Sequence, residues 1–213
     1  MKVLKFDEAS GGREGWLNAR LGKLTGSRAR DVITLKGDSI KADAYNLVAE
    51  RLIGSAALVE DESAMERGTR LEPEAIDRFT KETGKKVSKE LVLWLRDDDE
   101  SIAVSPDGVI GKGSTEAVEV KCLSAGRHIE ARVTGKIPNG ATGYMEQARQ
   151  YFVVNDKLKK LYFVFYDPRF PAPLDYFCIV VKRKDVQKEV EEWLEMERNV
   201  LNWVRNTVNN LTF

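Results

Sequence analysis

An α/β fold, with a central mixed β-sheet flanked by helices, is predicted by three features of the sequence. Two near-continuous apolar runs, Leu161–Tyr166 and Tyr176–Val181, read as strands buried on both faces. Helical periodicity occupies Ser63–Thr83 before the strands and Asp185–Asn206 after them. Between these lie shorter strand-like segments, so helices bracket a sheet. The 213 residues contain no Pro/Gly/Ser linker, repeat or low-complexity tract, and residues 1–213 are read as one domain.

The elements follow in order. Trp16–Arg20 reads as a helix ended by Leu21-Gly22. Thr25-Gly26-Ser27 resembles an N-cap opening a helix over Arg28–Ile33. Asp43–Ile53 is amphipathic, with Leu47, Val48 and Leu52 on one side. In Ser63–Thr83 the residues Ala64, Leu71, Ala75, Ile76 and Phe79 keep helical spacing, and Pro73 implies a kink or a fresh start. Lys86–Val87, Leu91–Leu95 and Ile102–Val104 are short strands, and Asp97–Glu100 is an acidic turn, read as a solvated loop with metal binding the lesser alternative. Ala117–Cys122 is a strand and Tyr144–Val154 a helix. The C-terminal helix turns Val186, Val190, Trp193, Leu194 and Leu201 inward.

Composition excludes several classes of function. With 42% hydrophobic and 32% charged residues, the chain reads as a soluble globular protein without a membrane partner, and no apolar run approaches a membrane span. Met1–Glu8 lacks the apolar core of a signal peptide. Two cysteines, Cys122 and Cys178, both in predicted buried strands, read as free thiols in a reducing compartment, a cytoplasmic setting. With one histidine besides, they cannot make a zinc finger or a four-cysteine cluster. Net charge is zero, so nucleic-acid binding would need a local basic patch.

The chemistry is concentrated in Ser105-Pro106-Asp107-Gly108 and Ala117-Val118-Glu119-Val120-Lys121-Cys122. In a strand, residues i and i+2 share a face, so Glu119 and Lys121 point the same way. An Asp, a Glu and a Lys beside a buried sheet are costly unless something offsets the charge. Mg²⁺ would do so, since carboxylates and water are hard oxygen ligands for it. Such a site suits phosphodiester hydrolysis. The plainer alternative is a hairpin in which Ser101–Val104 pairs with Ala117–Cys122, Asp107-Gly108 is the turn, and Glu119 and Lys121 lie on a solvated face.

Further segments add to this pattern. Trp16-Leu17-Asn18-Ala19-Arg20-Leu21-Gly22-Lys23-Leu24-Thr25-Gly26-Ser27 resembles a W-x3-R-x-G-x2-T-x-S motif, and Gly68–Glu72, with Ala75 and Phe79, a G-x3-E helix. Tyr144-Met145-Glu146-Gln147 and Tyr166-Asp167-Pro168-Arg169 fit two more. Together with the Asp107/Glu119/Lys121 core, these resemble the PD-(D/E)XK nuclease superfamily and, within it, recombination exonucleases of the lambda exonuclease or YqaJ type. The resemblance runs from Trp16 to near Val181. It implies a restriction-endonuclease-like fold and a toroidal homotrimer. It also implies Mg²⁺-dependent, processive 5′→3′ degradation of one strand from double-stranded DNA ends, leaving 3′ tails for recombination.

By the same resemblance, Asp107, Glu119 and the Val120 carbonyl would ligate Mg²⁺, at one or two ions, with Mn²⁺ able to substitute. Lys121 would position or activate water, Glu72 would stand near a second metal, and Gln147 would help orient the nucleophile. Arg20, Ser27, Ser105 and Arg127 would hold the 5′-phosphate, for which an Arg fork and hydroxyls are suitable donors. The expected partner is a single-strand annealing protein, in a bacterial or phage-infected cell. Asp107 and Glu119 are slightly further apart than in the lambda enzyme, and Leu123 stands where proline is common. Arg67, Arg70, Arg132 and Lys136 could line a DNA channel. Taken singly, Ser27 could be a plain N-cap, Glu72 an exposed helical acid, and Arg20 and Arg127 surface arginines. His128 is read as a loop residue without a catalytic role, and Trp94, Trp193 and Trp203 as core or interface. Two other functions stay open: an endonuclease on the same core, which would cut closed circles, and a non-catalytic DNA-end-binding module.

Overall fold

Strand β6 (Glu116–Lys121) sits at the centre of a five-stranded sheet, with Val118 and Val120 turned to one flanking layer and Ala117, Glu119 and Lys121 to the other. The coordinates are a computed structural model that describes residues 1–29, 47, 51, 62–123, 125–138 and 143–212. The described elements are β1 (Lys2–Lys5), a 3-10 turn (Glu8–Ser10), α1 (Gly12–Arg20), α2 (Glu62–Thr83), β2 (Val87–Ser88), β3 (Val92–Leu95), β4 (Ala103–Val104) and β5 (Gly108–Ile110). After β6 come α3 (Ala125–Thr134), α4 (Tyr144–Val154), β7 (Lys160–Tyr166), β8 (Tyr176–Lys182) and α5 (Arg183–Leu211).

The larger sheet has the order β2-β5-β6-β7-β8. Its β6–β7 pair is parallel and its other pairs antiparallel, so the sheet is mixed. A parallel pair needs a long crossover, and α3 and α4 lie within it. On one face Val118, Val120, Tyr162 and Val164 pack against Leu71, Ala75, Ile76 and Phe79 of α2. On the other, Ala117, Phe163 and Phe165 share a core with Tyr151 and Phe152 of α4 and Trp193 and Leu201 of α5. A smaller antiparallel sheet, β1-β3-β4, stands beside it, with Leu93, Leu95 and Ala103 buried against Leu4, Phe6 and Ala19.

The predicted α/β architecture is observed, with several local corrections. The hairpin onto β6 comes from β5, in register Gly108↔Val118 to Ile110↔Glu116, while Val104 pairs back to Trp94. Gly108 leaves room for Val87 of β2, for a Cβ there would lie 2.4 Å from the Val87 side chain. Strand β8 is an edge strand, mostly half-buried rather than buried on both faces. Cys122 and Cys178 are accordingly half-buried; burial pushes both thiols up to about 11, which keeps them protonated. Helix α2 runs through Pro73 without restarting. The acidic turn is ion-paired rather than merely solvated: Asp98 meets Arg198 at 2.6 Å, Glu100 meets Lys2 at 3.0 Å, and Asp97 and Asp99 pair with the N-terminus and Arg205. Arg127 and His128 stand on α3, not in a loop. The predicted helices 28–33 and 43–53 lie almost wholly outside the described residues. Among the described residues no helix is long and apolar enough to cross a membrane.

Candidate active site

A cleft of about 180 Å³ opens at the carboxyl end of β6 and is lined by Gly68, Thr69 and Glu72 of α2, by Asp107, and by Glu119 to Cys122. The carboxyl ends of sheet strands are where open α/β folds place ligands. Asp107 enters from the turn before β5, and the Val120 backbone N–H donates to its Oδ2 at 2.7 Å. This bond fixes the carboxylate against β6.

Glu119 is 2% exposed and is the most heavily bonded group of the cleft. Its Oε1 accepts from Lys121 Nζ at 2.6 Å and from Gln147 Nε2 at 2.6 Å, and its Oε2 accepts from the Tyr151 hydroxyl. The shared face predicted for Glu119 and Lys121 is therefore observed. Gln147 and Tyr151 are one helical turn apart on α4 and reach the same carboxylate. Tyr151 was not foreseen, although i, i+4 spacing from Gln147 is the signal that could have found it. Lys121 also lies 5.1 Å from the Tyr144 ring centroid.

Charge is crowded here. Burial pushes the Asp107 carboxyl well above the usual range, and Glu119 and then Glu72 push it further. Burial and Glu119 likewise raise Glu72, while Arg13 and Lys121 act the other way. For Lys121 burial alone would lower the pKa, but Glu119 and Asp107 reverse this and the net shift is upward. The ammonium is thereby held charged.

The donor set fits a hard divalent ion. Among the described residues no three His, Cys, Asp or Glu side chains group closely enough to hold one alone. Asp107 and Glu119 supply two carboxylates, the Val120 carbonyl can supply a third oxygen, and Glu72 lines the same cleft. Each carboxylate oxygen retains lone-pair capacity beyond the bonds above. Asp107 is raised first by burial and then by Glu119 and Glu72, and a cation in the cleft would favour its charged form.

The second predicted cluster is partly assembled. Arg20 Nη2 donates to Ser27 Oγ at 3.2 Å, and its guanidinium stacks 4.2 Å from the Trp16 ring centroid. Trp16 Nε1 donates to Ser105 Oγ at 2.7 Å, which joins Ser105 to the same group. The Ser105 hydroxyl in turn donates to the Val92 carbonyl at 2.6 Å, so its proton is committed within the protein. Arg127 is exposed on the first turn of α3 and pairs with Glu130 at 2.9 Å. Arg13 stacks on Trp16 at 5.5 Å and was not foreseen; only the fold brings its charge near Glu72. His128 is buried, its ring nitrogen Nε2 2.8 Å from the Leu174 carbonyl, in keeping with a structural role. Arg132 donates to the carbonyls of Pro173 and Tyr176, tying α3 to the β7–β8 connection rather than lining a channel.

Comparison with known proteins places this geometry. The YqaJ-like viral recombinase domain matches residues 15–157. The alkaline exonuclease LHK-Exo of Laribacter hongkongensis superposes with a TM-score of 0.77 at 33% identity, covering 93% of this chain and 95% of that one. A structure of LHK-Exo in complex with dAMP gives the same TM-score and coverage at 32% identity. A phage-related exonuclease from Haemophilus somnus 129PT shares the fold, with a TM-score of 0.65 at 15% identity over 89% of this chain and 96% of that one. No curated protein matches. The five-stranded mixed sheet flanked by helices is the restriction-endonuclease-like fold of these neighbours. The match to most of the chain, including every residue from Asp107 to Gln147, makes it a member of the YqaJ-like viral recombinase family.

Proposed function

We propose that this protein, acting as a single domain over residues 1–213, is a Mg²⁺-dependent exonuclease that degrades one strand of duplex DNA from its 5′ end. The observation that carries this reading is the meeting of Asp107, Glu119 and Lys121 in one cleft, with Lys121 Nζ 2.6 Å from Glu119. Kinship to an alkaline exonuclease, and that relative's complex with a deoxynucleoside monophosphate, support the substrate class. A divalent ion held by Asp107, Glu119 and the Val120 carbonyl would supply Lewis acidity to the phosphoryl oxygens.

The chain's own residues do the remaining work. Lys121, an ammonium paired with Glu119, donates to the attacking water and fixes its approach to phosphorus; it has no free lone pair to act as a base. Gln147 and Tyr151 hold the Glu119 carboxylate in place from α4. Attack forms a bond from the water oxygen to phosphorus and breaks the bond from phosphorus to the 3′-oxygen; the water gives up one proton and the 3′-oxygen takes one up from solvent. The released nucleotide carries the new 3′-hydroxyl, and the phosphate stays as a 5′-phosphate on the shortened strand. Each cut thus regenerates the ligand for a 5′-phosphate pocket. Arg20 and Ser27 form its centre, Ser105 supports it through Trp16, and Arg127 joins when the strand end is engaged.

A linear duplex with 5′-phosphate is accordingly expected to be degraded about ten- to a hundredfold faster than its 5′-hydroxyl counterpart, since a charge-assisted contact contributes about 1.5–3 kcal/mol. Arg20→Ala should remove that preference. Equal rates on both ends in the wild type would rule out the pocket, and cutting of closed circular duplex would favour an endonuclease. The proposed assembly is a toroidal homotrimer, which explains processive runs that leave 3′ tails for an annealing protein. Light scattering should return about three times the 24.0 kDa chain mass; a monomer would remove the ring and its processivity.

A further inference from the structure

The second turn of α2 contains a glycine that the fold itself does not need. Glycine is among the least favourable residues in a helix interior. A Cβ built on Gly68 meets nothing within 4 Å, so no neighbour excludes a side chain there. Gly68 instead lines the cleft, beside Thr69 and one turn before Glu72. Its missing side chain leaves open space on the cleft wall.

The adjoining residue, Arg67, is held in an unusual way. Its Nη2 is buried, lies 3.4 Å from Asp167 Oδ2, and has no hydrogen bond of good geometry. Asp167 is fully buried, and Arg169 already takes both its oxygens at 2.8 and 2.5 Å. One carboxylate therefore serves two guanidiniums. Arg67 remains 28% exposed, and its charge reaches the thiol of Cys122 on the cleft wall. None of these groups has a part in the cleavage chemistry above.

We propose that Arg67 and Gly68 form a seat for a backbone phosphate of the DNA strand entering the cleft. This rests on the nuclease reading. The strand passes over the gap at Gly68, and Arg67, aimed by Asp167, takes the phosphate as a charge-assisted contact. Asp167 is a positioning residue, with Arg169 as its second partner.

The test combines thermal melting, steady-state degradation of a linear 5′-phosphorylated duplex, and binding of a fluorescein-labelled duplex in EDTA. Gly68→Ala should melt above the wild type, because the helix gains and nothing clashes. Gly68→Leu should melt no lower than the wild type yet raise KM about tenfold or more, with kcat falling less. Arg67→Ala should weaken binding about tenfold and reduce the salt dependence of log Kd by about one unit; Arg67→Lys should restore the salt dependence but only part of the affinity. Asp167→Asn should raise KM as Arg67→Ala does, although removing a negative charge would by charge count alone tighten binding. A Gly68→Leu variant with wild-type KM and Kd would overturn the seat. So would an Arg67→Ala variant with unchanged binding. A wild type that binds duplex without degrading it would sink the nuclease reading while the binding arm still judges the seat, and one that does neither overturns both.

Discussion

Lys121→Ala is expected to lower the rate of duplex degradation by about 10²–10⁴-fold, the usual contribution of a positioned proton-bearing group at a reacting centre. Duplex affinity should change little, because Lys121 holds no metal, while the metal-free melting temperature should fall, because buried Glu119 loses its cation. Its ammonium makes one ion pair, to Glu119, and Glu119 keeps Gln147 and Tyr151 when the lysine is gone. Lys121→Arg should recover little, since the planar guanidinium cannot place a donor where the ammonium stands. Single-turnover kinetics on a 5′-phosphorylated linear duplex would check this. A Lys121→Ala enzyme with wild-type turnover would refute the assignment of the core.

Asp107→Asn should separate stability from activity. Activity should fall by about 10³-fold or more, as several kcal/mol of metal-supplied stabilisation is lost and each 1.36 kcal/mol is tenfold. Metal-free stability at neutral pH should rise. The sign follows from the upward shift of the Asp107 carboxyl. Below the ordinary aspartate range the folded and unfolded chains are both protonated there. As pH rises from that range through the raised folded pKa, the unfolded chain loses its proton first, and the folded state loses stability. Above the folded pKa the penalty is complete. Asparagine carries none of it and still accepts from Val120 N–H. The metal-free melting temperature of Asp107→Asn should therefore exceed that of the wild type by a few degrees, at roughly 2–4 °C per kcal/mol for a chain of this size. Mg²⁺ should raise the melting temperature of the wild type and leave the variant unmoved. Differential scanning calorimetry with and without Mg²⁺ decides it; a wild type indifferent to divalent ions would contradict the donor set.

Strand β6 is legible in the sequence because charge in an apolar period-2 segment is expensive and therefore conspicuous. The expected bounds of α4, Tyr144–Val154, are those observed, with Gly143 left-handed and Asn155 extended at its ends. Strand β5 was hidden. Three residues beside Gly111 and Gly113 carry no periodic signal, and only pairing with β6 makes them a strand. The same holds for β1, whose partner β3 lies some 90 residues away in sequence. The edge position of β8 was illegible for a related reason: an apolar run states that a strand is covered but not what covers it. Helix α3 was read as a loop at Arg127–His128, and burial of His128 against Leu174 and Phe170 is a tertiary fact. In the site, motif order brought out Asp107, Glu119, Lys121, Glu72 and Gln147, all now found in or against one cleft. Tyr151 and Arg13 were overlooked because a helical tyrosine reads as core and a surface arginine as solvent.

Arg183, at the start of α5, gives this architecture a temporal order. Its guanidinium donates to the carbonyls of Phe152, Asn155 and Leu158 at 2.6, 2.7 and 2.9 Å, satisfying the end of α4 and the loop beyond it. Helix α4 carries the two groups that grip Glu119, and β6 lacks its parallel neighbour until β7 exists. On a ribosome adding about 5–20 residues per second, Arg183 is added some seconds after the end of α4 that it fastens. A nascent chain that stops short of residue 183 already holds every acid and the lysine, but with the clamp on Glu119 unfastened. The groups that hold Glu119 are thus made before the residue that fastens the helix carrying them.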